Sequence, residues 1–157
     1  MTSILVQEHG GGLGFHGPLV IATTEGPRAF HPTLTRRIVD EIARLRRTSH
    51  QTKLVYVYVA AEAANVPDGE SRRIAAELAQ HVDAAVGVHE GGGFRASAVR
   101  AIVTGIAMLH PRRVRPKIVD SVHAASAFLH AHHPELGSEQ AIVDAIEDVR
   151  AAARATV

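Results

Sequence analysis

The sequence predicts an α/β fold, a mixed sheet of about five strands with four or five helices in the order β-β-α-β-α-β-α-β-α plus a C-terminal helix. Three observations carry this expectation. Residues 82–109, VDAAVGVHEGGGFRASAVRAIVTGIAML, run from a short small and β-branched segment through three glycines into a stretch where Val99, Ile102, Val103, Ile106 and Leu109 recur with the period of a helix. Residues 53–60, KLVYVYVA, are apolar on both sides of a period-2 alternation, as a strand covered on both faces must be. Segments of these two kinds alternate along most of the chain, the pattern of strands joined by crossover helices.

In chain order, residues 3–8 (SILVQE) and 19–24 are short strands, and the glycine-rich 9–17, HGGGLGFHG, reads as the loop between them. Pro32 suits the first turn of a helix whose apolar side is Leu34, Ile38, Ile42 and Leu45. After the strand at 53–60, Asp68 can cap a helix over 68–81, with Glu70 near the positive end of its dipole. Residues 114–119 form a fifth strand, and Pro116, which has no N–H to give a ladder, puts it at an edge. Asp120 or Ser121 caps the next helix, with Val122, Ala125, Phe128 and Leu129 on its apolar side, and Pro134 follows it. Ser138 starts a last helix with the stripe Ile142, Ala145, Ile146, Val149 and Ala153, so this helix docks on the domain or on another chain. The reading divides the chain into a domain over 1–134 and a helical extension over 135–157.

Composition excludes several functions. The absence of cysteine removes disulfides, thiolate nucleophiles and cysteine-based zinc sites. No apolar run approaches the roughly 20 residues of a membrane span, and no signal-peptide core precedes the first glycines, so a cytoplasmic protein with no membrane partner is expected. A net charge of +1, with two Tyr, four Phe and no Trp, supplies neither the field nor the stacking platforms for nucleic acid.

Motifs narrow it further. Gly12, Gly14 and Gly17 match G-x-G-x-x-G, but Pro18 and a β-branched run follow where a dinucleotide site must open a helix. No G-K-[ST] follows the glycines at 91–93, and the chain has neither G-x-S-x-G nor H-E-x-x-H. His89 and Glu90 are neighbours on a strand and point to opposite faces, so they make no acid–base pair. The histidines at 123, 130, 132 and 133 lack metal-ligand spacing, and His132 and His133 suit the C-terminal end of a helix. No enzyme, metal or cofactor is therefore expected. The remaining candidate is an anion site where Gly91, Gly92 and Gly93 present N–H groups before a helix and Arg95 adds charge, with Arg95 and Arg100 also free to meet a partner. The same glycines equally serve a plain tight turn.

The element order, the segment GGGFRASAVRAIVTG and the closing RVRPKIVDSVHAASAFL resemble the STAS domain, the family of the bacterial anti-sigma factor antagonists, over about residues 1–130. The resemblance implies a STAS-like sheet and a non-enzymatic, protein-binding regulatory module of bacterial signalling, whose partner is a regulatory kinase or an anti-sigma-like factor. In that family a phosphorylated serine stands in D-S-[SG]-G after the third strand. Here the place reads Ala61-Glu62-Ala63-Ala64-Asn65, which leaves Ser71, in the following helix, as the nearest candidate for such a switch. Alternatives are a small-ligand or anion sensor at the 91–95 turn and an assembly subunit that forms a homo-oligomer through the last helix.

Overall fold

The computed structural model of the chain describes residues 1–92, 114 and 116–157. Its strands are β1 (Ser3–Glu8), β2 (Gly11–His16), β3 (Leu19–Thr24), β4 (Val55–Ala60), β5 (Ala84–His89) and β6 (Lys117–Val119), and its helices are α1 (Pro32–Thr48), α2 (Gly69–Ala76), α3 (Val122–His132) and α4 (Glu139–Arg154). The fold is α/β with a mixed six-stranded sheet in the order β1-β2-β3-β4-β5-β6. The first three strands are antiparallel neighbours, and β3 to β6 are parallel.

The sheet has a strand more than expected, because the predicted 9–17 loop contains β2. His9 and Gly10 (φ 51° and 79°) form the two-residue β1–β2 turn, and Gly17 (φ 56°) followed by Pro18 forms the next. The glycines of β2 are there for clearance. A Cβ on Gly11 would lie 2.4 Å from Leu34 Cδ2 on one face, and a Cβ on Gly14 would lie 2.7 Å from Val149 Cγ2 on the other. The alternation rule looks for bulky residues in a strand, and β2 meets its neighbours with bare backbone.

Each face of the sheet carries a core. On one, α1 packs Leu34, Ile38 and Ile42 against Val20, Ala22, Leu54 and Tyr56, and α2 lies against α1. On the other, α3 and α4 pack Val122, Leu129, Ile142, Ile146 and Val149 against Ile21, Val57 and Val88. The alternation along β4 therefore divides as the sequence implies, with Val55, Val57 and Val59 toward α3–α4 and Leu54 and Tyr56 toward α1–α2. The last helix docks on this chain, against β2 and β3.

Helix ends follow local chemistry. His31 Nδ1 accepts from Leu34 N at 3.3 Å before Pro32 opens α1. Asp68 accepts from Ser71 N at 2.7 Å, Ser121 from Ala124 N at 3.1 Å and Ser138 from Ala141 N at 3.1 Å. The helix expected over 68–81 is shorter, since α2 tightens at Glu77–Gln80 into a 3₁₀ turn that leads into β5. The predicted strand at 114–119 shrinks to β6. Among the described residues it pairs with β5 alone, and Pro116 stands just before it, the edge position its missing N–H requires. The helix expected over 94–109 lies outside the described residues.

Candidate functional site

Strands β3, β4 and β5 end together at Thr24, Ala60 and His89, and polar residues gather at that edge of the sheet. Period 2 sorts them. Glu25 continues the parity of Ile21 and Thr23, and Glu90 that of Val86 and Val88, so both carboxylates fall on the α4 side. Thr24 and His89 have the opposite parity and meet Tyr58, through a 2.7 Å hydrogen bond to Thr24 Oγ1 and an edge-on ring contact with His89 at 6.1 Å.

Arg150 of α4 joins the two carboxylates. Its Nε donates to Glu25 Oε1 at 2.7 Å and its Nη2 to Glu25 Oε2 at 3.2 Å, while Nη1 and Nη2 donate to Glu90 Oε1 and Oε2 at 2.6 and 2.7 Å. Thr23 Oγ1 and Arg154 Nε, the latter at 3.0 Å, complete the shell of Glu25. The side chains of Glu25 and Arg150 are 3% and 6% exposed, so neither charge has much water to lean on. Burial pushes the Glu25 pKa up, but the hydrogen bonds from Arg150 and Thr23 and the Arg150 charge outweigh it and hold the carboxyl below its usual value. Burial likewise works against the Arg150 cation, and Glu90 and Glu25 more than restore it.

Beside this network is a cleft of about 170 Å³ whose lining includes Tyr58, Glu62, Asn65, His89, Glu90 and Gly92. Its position, outside the carboxyl ends of parallel strands, is where open α/β sheets hold ligands. The loop from β4 to α2 is fixed by Asn65, whose Oδ1 accepts from Phe30 N at 2.9 Å and whose Nδ2 donates to Phe30 O at 2.7 Å. Gly91, with φ 87°, leaves room for the stem of Glu62, which a Cβ would approach to 2.8 Å. Tyr58 also lines a second, apolar cavity of about 160 Å³ between the sheet and α1–α2.

Of the residues singled out in the sequence, Gly91 and Gly92 stand at the cleft, whereas Gly93, Arg95 and Arg100 lie outside the described residues. The described part of the anion site is lined by Glu62 and Glu90, both carboxylates. Ser71 is fully buried in the first turn of α2, so its hydroxyl is not presented at the surface. His130 and His132 contact the carbonyls of Gly137 and Phe128 at 2.8 and 2.9 Å, and His133 instead meets Lys53 Nζ at 2.8 Å. Among the described residues no group of His, Cys, Asp and Glu is arranged to hold a metal, and no helix is long and apolar enough to cross a membrane.

Sequence reasoning missed the Glu25–Arg150 pair. A signal was present: Arg150 follows Ile142 and Ile146 at four-residue steps, a charge placed on the buried stripe of the last helix. A cation there needs a buried anion opposite.

No protein-family model matches the chain, and no curated protein does. Among solved structures it is similar to a murein peptide ligase from Psychrobacter arcticus, with a TM-score of 0.52 and 12% identity over 99% of this chain. The chain spans 30% of the ligase's length, and the likeness is one of fold alone.

Proposed function

We propose that this chain is a regulatory module that works by binding another protein, in the manner of the STAS domains it resembles, with the cleft edge as its contact region. The observation that carries this reading is the geometry at the cleft edge: Arg150 donates to Glu25 at 2.7 Å and to Glu90 at 2.6 and 2.7 Å, with the side chains of Glu25 and Arg150 3% and 6% exposed. Carboxylates and a guanidinium bound to one another in this way suit a rigid binding platform. The loop leading into α2 and the turn at 90–92 flank the cleft and supply a surface of mixed polarity around Glu62, Asn65 and Gly92. The natural partners of such a module are a regulatory kinase or an anti-sigma-like factor.

The test is comparative capture from native lysate. The parent chain and a remote surface variant, Glu41→Arg, should retain the same protein, and Glu62→Arg should lose it. Equal capture by Glu62→Arg would remove the cleft edge from the interface, and turnover of a substrate by the purified chain would end the non-enzymatic reading.

A second reading, a small-ligand sensor, draws on the cleft volume of about 170 Å³ beside Gly91 and Gly92. An anion in that place would face Glu62 and Glu90, so phosphate is a poor candidate unless further positive charge is supplied. Titration with phosphate while following the Gly91 and Gly92 amide resonances separates the readings, since a saturable shift would favour the sensor. Self-association remains a third reading, tested by the mass of the chain in solution.

A further inference from the structure

We propose that Lys53 and His133 form a pH-sensitive latch, which fastens the turn between α3 and α4 to the start of β4 and opens when the imidazole takes up a proton. The observation is a contact that only one protonation state of the histidine can make. His133 Nδ1 lies 2.8 Å from Lys53 Nζ, across 80 positions of the chain. An ammonium has three N–H donors and no acceptor, so the imidazole must accept, with its lone pair on Nδ1 and its proton on Nε2. An ordinary lysine keeps its proton to about pH 10.4 and an ordinary histidine loses its own near about 6.5, so at neutral pH the pair is an ammonium and a neutral ring. An imidazolium has no lone pair left. Protonation therefore removes the bond and sets two like charges against each other.

The surroundings give the bond its consequences. His133 directly follows α3, with its own N–H donating to Leu129 O at 2.7 Å, and its carbonyl accepts from Leu136 N at 3.0 Å in the 134–136 turn. Leu136 is buried in the core shared by α3 and α4, so this turn sets how the chain enters α4. The imidazole is 13% exposed, which leaves little water to replace a lost partner. Among the described residues, three titratable groups face the ring: Lys53 ahead of β4, Glu135 in the turn at 3.6 Å, and His132 on α3. Burial, and after it the charges of Lys53 and His132, hold the imidazole below the ordinary histidine value, with Glu135 pulling the other way. Glu135 also accepts from Lys53 at 3.1 Å, so the lysine keeps a partner when the latch opens. With the folded pKa below the unfolded one, the unfolded chain binds more protons in the window between them. The latch's contribution is whole above about pH 6.5 and is lost as pH falls through the folded value. This inference goes beyond the binding reading and does not rest on it.

A histidine titration of the full chain by nuclear magnetic resonance tests it. The His133 ring should titrate at a lower pH in the folded chain than in the urea-unfolded one. Lys53→Met removes the ammonium and should raise the His133 midpoint, whereas Glu135→Gln removes the opposing carboxylate and should lower it. Lys53 is 42% exposed, so its replacement leaves the core intact. The latch itself is read at the Leu136 amide, whose protection from hydrogen exchange is taken relative to the Val57 amide in the core. In the parent this protection should fall about tenfold as pH drops through the His133 midpoint, and in Lys53→Met it should be low on both sides of it. A His133 midpoint unmoved by Lys53→Met, or Leu136 protection that ignores that midpoint in the parent, would overturn the latch and leave the pair an ordinary surface contact.

Discussion

Gly14 lies directly beneath Val149: a Cβ on the glycine would stand 2.7 Å from Val149 Cγ2 and 2.8 Å from Ser3 O. The second of these is backbone, which cannot rotate away. Gly14→Ala should therefore destabilise the fold by roughly 1–3 kcal/mol, the usual range for overpacking. The contrasting site is Gly69 at the start of α2, where an added Cβ would meet nothing closer than Arg72 Nη2 at 3.7 Å. There Gly69→Ala should stabilise by about 0.4–1 kcal/mol through the unfolded chain's lost freedom. Urea melts of the two variants would give opposite shifts in midpoint.

Removing the cation from the core is expected to cost more than removing apolar bulk at the surface. Arg150→Met leaves Glu25 buried without its principal partner, and loss of one member of such a pair typically costs about 3–5 kcal/mol. The double variant Arg150→Met with Glu25→Gln should recover part of that loss. A loss under about 0.5 kcal/mol for the single variant, the scale of surface sites, would show that the pair is solvated.

Acid should expose the same pair. With the folded Glu25 pKa below the unfolded value, the unfolded chain binds more protons between the two, so stability rises with pH across that window. The contribution is complete above the unfolded carboxylate value, near about 4.3, and disappears as pH falls through the folded one. Asp83 behaves alike: burial raises its pKa, but hydrogen bonds from Leu54 N at 2.8 Å and Arg46 Nη1 at 2.7 Å bring it below the usual value. Urea melts from neutral pH down to about pH 3 should show a loss of stability that is shallower in Glu25→Gln.

The last helix is expected to be indispensable. Ile142, Ile146 and Val149 are each 0% exposed against the sheet, so a chain ending at Gly137 would bare the β2–β3 face. Such a truncation should lose cooperative unfolding, and even Ile146→Ala should cost roughly 2–5 kcal/mol. A cooperative thermal transition in the truncated chain would show that residues 1–137 hold a sufficient core of their own.

Much of this protein follows from its sequence alone. The mixed α/β sheet, the double-sided burial of β4, the caps at Asp68 and Ser138 and the edge position of β6 rest on periods and on hydrogen bonds within a few residues, and local chemistry is enough to specify them. Tertiary structure decided the rest. The strand status of 11–16 depends on Leu34 and Val149, residues far along the chain that need bare backbone at Gly11 and Gly14, and no local rule records that need. The pairing of Glu25 with Arg150 spans 125 positions; the sequence shows a charge on a buried stripe but not which carboxylate answers it. The exclusion of Ser71 from the surface is likewise set by packing around α2, since its place in a first helical turn fits an accessible hydroxyl as well as a buried one. Periodicity fixes which face a residue takes, whereas the identity of what it meets there depends on how distant segments stack, which is decided only when the whole chain is folded.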